Sequence, residues 1–209
     1  YDGRKGGIID VQKPYLASIK PEDDKFLSIY QSFSPDVKYL VFSEYNLSVT
    51  NILEVSSGNI VKTLVNGPSA HPRWSQDGKM IVFAQVLDTK GLNYEKSEIH
   101  ALEVNGLDII SDQTIIPADG FAFSDLDISP DSKTMIYRKS FQNSIGDTNM
   151  RPFLYSFESK NNIELFKMLD GSNNRDYWYS FSPFPENDYY WVVFFSRRKY
   201  GNKTSDGTS

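Results

Sequence analysis

The residues that could perform chemistry are few and far apart in this sequence. The two histidines, His71 and His100, do not belong to a metal-binding spacing such as His-Glu-x-x-His, and the chain contains no cysteine. No Gly-x-Ser-x-Gly nucleophile elbow is present either. Asp125-Leu-Asp127 would place two carboxylates on one side of a strand, where they could bind a cation. A solvated channel or turn position explains the pair more simply, so we predict no catalytic residue and no metal site.

Two other groups of residues could contact a ligand. Arg197-Arg198-Lys199 could hold a carboxylate or an anionic surface, although a short basic run at a strand end is more typical of a solvated corner. Tyr177-Trp178-Tyr179 and Tyr189-Tyr190-Trp191 could form a platform for a sugar or a peptide. Large flat side chains also pack between sheets, and we favour that interpretation for both aromatic groups.

Composition narrows the function classes. The chain has 209 residues, of which 39% are hydrophobic and 23% charged, as expected for a globular protein. Its net charge of −5 argues against a nucleic-acid partner. No apolar run approaches the roughly 18 residues of a membrane helix, so the sequence does not predict a membrane-spanning protein. We also expect no cofactor.

Short β-strands must position these side chains. The strongest strand signals are runs of four or five β-branched and aromatic residues, a length that suits buried strands better than helices. Turn formers such as Gln76-Asp77-Gly78 and Ala118-Asp119-Gly120 separate them. The runs are residues 39–42, 80–83, 134–137 and 191–195.

One turn recurs four times in sequence order. Each copy starts with an aromatic residue or Ile, which is followed by Ser. The next position holds Pro or Gln, an Asp and a Lys come after it, and an apolar strand follows. A spacing of about 40 to 50 residues between such turns is typical of propeller blades. The fourth turn is looser, because Phe184-Pro185-Glu186-Asn187-Asp188 replaces the Asp-Gly pair. The four segments begin at Phe33, Trp74, Ile128 and Phe181.

These segments resemble the Ser-Pro-Asp-Gly-Lys variant of WD-like β-propeller repeats. That variant is typical of periplasmic TolB-like proteins and of the propeller domains of prolyl oligopeptidase-like enzymes, and the resemblance covers residues 29–196. The segment Trp74-Ser75-Gln76-Asp77-Gly78-Lys79 is close to the family pattern. Val37 and Ser132 stand where Gly is usual, so we expect those two turns to be of a type that tolerates a side chain.

The resemblance implies an all-β fold, a β-propeller of four-stranded antiparallel blades. We count three complete blades and two half-blades, with residues 1–28 as outer strands of a preceding or composite blade, 29–196 as the repeats and 197–209 as a polar tail or linker. The halves could pair with each other in a four-bladed ring or with another chain. We favour a segment of a larger, six- to eight-bladed propeller. A β-sandwich is the alternative fold, but it does not explain one turn recurring on one strand pair.

Propellers usually bind ligands at the central channel or on the loops of one face. The innermost strand of each blade lines the channel, which predicts six candidate binding residues. Hydration of a water-filled axis is the simpler role for them. The candidates are Gln31, His71, Arg73, Asp125, Asp127 and Tyr179.

For function, the resemblance implies a non-catalytic scaffold that binds a protein partner in an extracytoplasmic complex of the bacterial cell envelope, periplasmic or extracellular. One alternative is a propeller accompanying a hydrolase or peptidase domain outside this chain. Another is a structural subunit of a larger multi-subunit assembly. Fold alone does not decide among them.

Overall fold

A computed structural model describes residues 8–9, 18–19, 28–88, 91–145, 147, 149–165, 176–184 and 189–196. Within these ranges the chain forms strands and turns and no helix, and so no helix there could cross a membrane. The strands are β1 (Ile8–Ile9), β2 (Ser18–Ile19), β3 (Ser28–Phe33), β4 (Tyr39–Glu44), β5 (Thr50–Glu54), β6 (Ile60–Val65), β7 (Ser69–Trp74), β8 (Met80–Val86), β9 (Ser97–Asn105), β10 (Asp108–Ile116), β11 (Ala122–Ile128), β12 (Thr134–Ser140), β13 (Met150–Ser156), β14 (Asn162–Glu164), β15 (Asp176–Phe181) and β16 (Val192–Ser196).

The strands form three four-stranded antiparallel sheets in chain order, β3–β6, β7–β10 and β11–β14. Two further sheets, β1–β2 and β15–β16, have two strands each. The first strand of each successive sheet contacts the first strand of the next, from β3 to β7 to β11 to β15. Sheets that share a hub in this way are propeller blades and not the facing layers of a sandwich, which confirms the predicted fold class.

The core lies between successive sheets. Val41 and Ile52 of the first complete sheet pack against Trp74 and Ile81 of the second. The second strands, β4, β8 and β12, each bury four consecutive residues because sheets or loops cover both of their faces. This explains why these strands read as unbroken apolar runs in the sequence.

The recurring turn is closed by the same hydrogen bonds each time. In the first copy the Ser34 hydroxyl donates to the Asp36 carboxylate at 2.7 Å, and that carboxylate accepts the Lys38 backbone N–H at 3.1 Å. The Ser34 hydroxyl oxygen also accepts the Tyr39 N–H at 3.0 Å. Ser75 with Asp77, and Ser129 with Asp131, repeat all three bonds at nearly the same distances. The Ser and Asp of the repeat are therefore structural residues.

We expected the turns at Val37 and Ser132 to be of a type that tolerates a side chain, but both residues have the left-handed backbone that favours Gly. Their φ angles are 59° and 61°, in the same left-handed region as Gly78 at 73°. The same Ser–Asp hydrogen bond closes each turn, and the backbone keeps the left-handed conformation with Val, Gly or Ser at this position. A side chain there costs roughly 1–2 kcal/mol in steric strain.

Several predictions lie outside the described residues. Arg197-Arg198-Lys199 and the polar segment 197–209 belong to this group. The proposed boundaries at residues 28 and 196 stay predictions.

Candidate functional site at the propeller hub

Each first strand carries an irregularity near the same position. The register with the second strand shifts between Ala70 and Arg73, and likewise in β11, β15 and β3. In three of the four strands a residue at the shift has a left-handed backbone: His71 (φ 53°), Asp125 (φ 53°) and Trp178 (φ 56°). Such bulges redirect side chains and are common beside functional sites. For a residue as large as Trp178, this conformation is an outlier.

A group of polar side chains, buried except for the partly buried Tyr30, lies at these bulges, and we call it the hub cluster: Tyr30, His71, Asp125 and Arg138. Arg138 Nη1 lies 3.2 Å from Asp125 Oδ2, and both side chains are buried. Arg138 Nε donates to the Ser124 hydroxyl at 2.9 Å, and Nη2 donates to a backbone carbonyl at Ser144. Asp125 Oδ2 also accepts the Trp178 backbone N–H at 3.0 Å. The ion pair thus connects β11 and β12 to β15.

His71 and Tyr30 form the other half of the hub cluster. Their rings lie 3.6 Å apart between centroids. Burial lowers the pKa of His71 well below its ordinary value, and Arg73 and Arg138 lower it further. Burial and the Asp125 carboxylate raise the pKa of Tyr30 to about 12, against the opposing effect of Arg138. Both rings are therefore neutral at pH 7, and within the described part of the chain His71 Nε2 has no hydrogen-bond partner.

A second set of polar contacts runs across four successive sheets, and we call it the polar row: Gln31, Arg73, Asp127 and Ser180. Arg73 Nη1 donates to the Gln31 carbonyl at 2.8 Å, and its Nε lies 3.6 Å from Asp127 Oδ1. Asp127 Oδ2 accepts the Ser180 hydroxyl at 3.0 Å and the Phe181 backbone N–H at 2.7 Å. The polar row holds neighbouring first strands together.

The structure distributes the six predicted candidates over three places. His71 and Asp125 lie in the hub cluster, and Gln31, Arg73 and Asp127 lie in the polar row. Tyr179 is buried, and its hydroxyl donates to the Asp176 carbonyl at 3.0 Å. A ligand-binding role for the six stays a prediction. The two carboxylates of Asp125-Leu-Asp127 bind different arginines, and the described residues contain no group suited to a metal ion.

Arg138 is the main hub residue that sequence reasoning missed. It closes an apolar run at the position where the first two repeats carry Ser43 and Ala84, as the strand registers show. A single charged residue in a position otherwise filled by small side chains was the available signal. It pointed to a buried partner, which the bulge at Asp125 provides.

The packing interpretation of the aromatic groups agrees with the burial of Tyr179 and with half-buried Tyr177, whose ring stacks on Phe195 with centroids 5.8 Å apart. Tyr179 is buried, whereas Trp178, Tyr189 and Trp191 are exposed. At the fourth turn, Phe184 is 74% exposed and Tyr189 is 73% exposed. Interaction with the Asp131 carboxylate of the third turn raises the pKa of Tyr190 beside them. We call Phe184, Tyr189 and Tyr190 the aromatic turn.

His100 lies away from the hub, on β9. Its Nδ1 is 2.8 Å from Asp112, and its Nε2 is 3.0 Å from Glu98. Burial opposes protonation, but the hydrogen bonds to the two carboxylates outweigh it and raise the pKa of His100. Because the carboxylates occupy opposite sides of the ring, the three groups do not converge on one ion.

No protein-family model and no curated protein sequence matches the chain. Among solved structures, a putative TolB from Agrobacterium tumefaciens is 20% identical, with a TM-score of 0.53, covering 69% of this chain and 50% of its own. TolB from Acinetobacter baumannii is 18% identical, with a TM-score of 0.52, covering 80% of this chain and 40% of its own. An oligogalacturonate lyase in complex with manganese is 13% identical, with a TM-score of 0.52, covering 78% and 48%. The chain thus spans 40% to 50% of these proteins. At such identities the similarity is one of fold, and it agrees with the sheet arrangement: the chain is built of β-propeller blades.

Proposed function

We propose that this chain is a non-catalytic β-propeller scaffold that binds a protein partner in an extracytoplasmic complex, through the aromatic turn. The observation that carries the proposal is the difference between the four turns. Three of them use their Ser and Asp to close the turn. In the fourth the sequence departs from the Ser-Pro-Asp pattern, and Phe184 and Tyr189 expose large side chains to solvent.

Exposed aromatic side chains on a rigid support favour protein recognition. Tyr and other aromatic residues are enriched at the centres of protein interfaces, because they bury much area with little loss of conformational freedom. Tyr190 interacts with the Asp131 carboxylate of the third turn, which links the aromatic turn to the neighbouring sheet. Loops held by a rigid scaffold are the usual place for binding residues.

The polar hub supports the non-catalytic part of the proposal. Asp125 and Asp127 are each engaged by an arginine and by a backbone N–H of β15. A general acid or base must reach the proton that it transfers, and carboxylates committed to the fold in this way are poorly placed for that. The cell-envelope location rests on the resemblance of the repeat to periplasmic TolB-like proteins and on the fold similarity to two TolB structures.

The proposal is tested by site-specific photo-crosslinking in cells at Tyr189, with Ile110 as the control. Ile110 is an exposed apolar residue on β10, in a complete sheet. We expect one envelope protein to be crosslinked from position 189 and not from position 110. Calorimetry with that purified protein should then show binding at least tenfold weaker for Phe184→Ser and unchanged for Ile110→Ser.

Two results would contradict the proposal. Equal binding by the Phe184→Ser and Ile110→Ser variants would remove the aromatic turn as the binding site. Turnover of ester, peptide or oligosaccharide substrates by the purified chain, abolished by Asp127→Asn in a variant that remains folded, would show catalysis in these residues.

A further inference from the structure

Two Asn-Gly pairs occur in the sequence, Asn66-Gly67 and Asn105-Gly106. Because glycine has no Cβ, its backbone nitrogen can approach the side chain of the preceding residue closely. In an Asn-Gly pair this nitrogen can attack the side-chain amide of the asparagine, which is the first step of spontaneous deamidation. The structure places the two pairs in different surroundings, so their reactivity should differ.

Asn105-Gly106 lies at the turn between β9 and β10. Asn105 is the last residue of β9 and pairs with Asp108, the first residue of β10, so that Gly106 and Leu107 alone form the loop. Gly106 has a φ of 60°, a conformation that side chains disfavour, and the turn therefore requires glycine. The strand pairing holds the backbone of Asn105 extended, so the hairpin must open locally before the side-chain amide can bend over the Gly106 nitrogen.

Asn66-Gly67 lies in the crossover from β6 to β7, outside both strands. Asn66 is exposed, and within the ranges that the structure describes neither its side chain nor the Gly67 N–H forms a hydrogen bond. Gly67 does not have a left-handed φ, and a Cβ at this position would lie 3.7 Å from Gln85 Nε2, which is an ordinary contact. Neither the backbone conformation nor the packing therefore requires glycine at position 67.

We propose that Asn66 is a site of spontaneous deamidation in the folded chain. The Gly67 nitrogen bonds to Asn66 Cγ, and the side-chain nitrogen leaves as ammonia together with the proton of the Gly67 N–H, which produces a cyclic imide. Water then opens the imide. Cleavage at Cγ gives aspartate, and cleavage at the main-chain carbonyl carbon gives isoaspartate, in which the main chain continues through Cγ.

The isoaspartate product would disturb the packing between two sheets, because Gly67 ends a chain of buried hydroxyl groups. The Gly67 carbonyl accepts the Ser69 hydroxyl at 3.1 Å. The Ser69 and Thr50 hydroxyl oxygens lie 2.7 Å apart, and those of Thr50 and Ser43 lie 3.0 Å apart. These three buried side chains belong to β7, β5 and β4. Isoaspartate lengthens the main chain by one carbon before Gly67, so the carbonyl moves relative to Ser69 and the link between the first two complete sheets weakens.

This inference goes beyond the proposed function and does not depend on it, since it concerns the crossover and not the aromatic turn. The test incubates the purified chain at pH 7.5 and 37 °C and digests samples with trypsin at intervals. Trypsin places the two asparagines in separate peptides, residues 63–73 and 97–133, neither of which contains another asparagine. We expect the mass increase of amide hydrolysis to appear at Asn66 at least tenfold faster than at Asn105.

Two controls separate the effect of the structure from that of the local sequence. In the chain unfolded by guanidinium chloride the two rates should become similar, because the hairpin no longer restrains Asn105. Gly67→Ala should slow the reaction at Asn66 at least tenfold and leave Asn105 unchanged, since a Cβ has room at position 67 but hinders the attacking nitrogen. An equal or faster reaction at Asn105 in the folded chain would overturn the proposal, and so would an unchanged rate in Gly67→Ala.

A second measurement tests the consequence for packing. Asn66→Asp carries the aspartate product with a main chain of normal length, and because position 66 is exposed it should unfold at the same urea concentration as the wild type. The incubated chain, with its isoaspartate content measured by an isoaspartate-specific methyltransferase, should unfold at a lower urea concentration as that content rises. Equal midpoints for the isoaspartate form and Asn66→Asp would overturn the role assigned to the Gly67 carbonyl.

Discussion

Arg138 and Asp125 form a buried ion pair, with Nη1 of the guanidinium 3.2 Å from Oδ2 of the carboxylate. Neither group can be removed alone without leaving a charge away from water. Substituting one member of such a pair typically costs about 3–5 kcal/mol, whereas apolar replacement of the whole pair is often far less costly. Substitutions at this pair therefore test whether the hub cluster is assembled as described.

We predict that Arg138→Met lowers the free energy of unfolding by about 3–5 kcal/mol, because Asp125 stays buried without its cation. The double variant Arg138→Met/Asp125→Asn should recover at least half of the loss. Asn suits the left-handed backbone at position 125 and can still accept the Trp178 N–H. Urea unfolding of the wild type, both single variants and the double variant measures the coupling. Additive losses would contradict the assigned pairing.

Substitution by glycine should change the stability of the turns at Val37 and Ser132, whose backbone is strained. We predict that Val37→Gly stabilises the chain by about 0.5–1 kcal/mol, because relief of strain at φ 59° exceeds the added entropy of the unfolded chain. Ser132→Gly should gain less, since the Ser132 hydroxyl accepts the Asp77 N–H at 3.1 Å. Gly78→Ala should destabilise through backbone strain alone, because its new Cβ would lie 3.8 Å from the nearest atom of Pro35. Thermal unfolding measures all three variants, and a destabilising Val37→Gly would contradict the argument.

His71 should make the fold sensitive to acid. Its pKa is lowered in the folded state, so the unfolded chain binds the proton more readily. The contribution of the neutral ring is complete above the unfolded pKa of about 6.5 and is lost as the pH falls below it. We predict that His71→Asn lowers stability at pH 7.5 but flattens the decline between pH 6.5 and pH 5. Urea midpoints over this range provide the measurement, and parallel pH profiles for wild type and variant would contradict it.

His100 should have the opposite effect on how the stability of the chain depends on pH. Its folded pKa is raised, so the stability it adds is complete below about pH 6.5 and is lost as the pH rises through the folded value. We predict that His100→Gln destabilises the chain more at pH 5.5 than at pH 8.5. NMR titration of the His100 ring in the folded wild type would verify the raised pKa directly. A larger effect of the substitution at pH 8.5 would refute the assignment.

The hairpins were predictable because their causes are local. Ser34, Asp36 and Lys38 carry within five residues the groups that close the turn, and the apolar run after them indicates a strand covered on both faces. The conformation at Val37 was not predictable from residue type, since hydrogen bonds on either side of it impose the left-handed backbone. At the hub, the positions of Arg73 and Asp127 along the first strands of their sheets were enough to predict that these residues lie there. The partnership of Asp125 with Arg138 depends on a bulge that carries no sequence signature.

The turn closed by Ser34 and Asp36 has a consequence for how the chain folds. Its ends are joined across only a few residues, so the loss of chain entropy on closing it is small. Three such closures are distributed along the molecule, and each can start its own hairpin before distant segments meet. An additional blade inserted between two existing ones would bring its own starting point, so lengthening the propeller need not slow the earliest steps of folding.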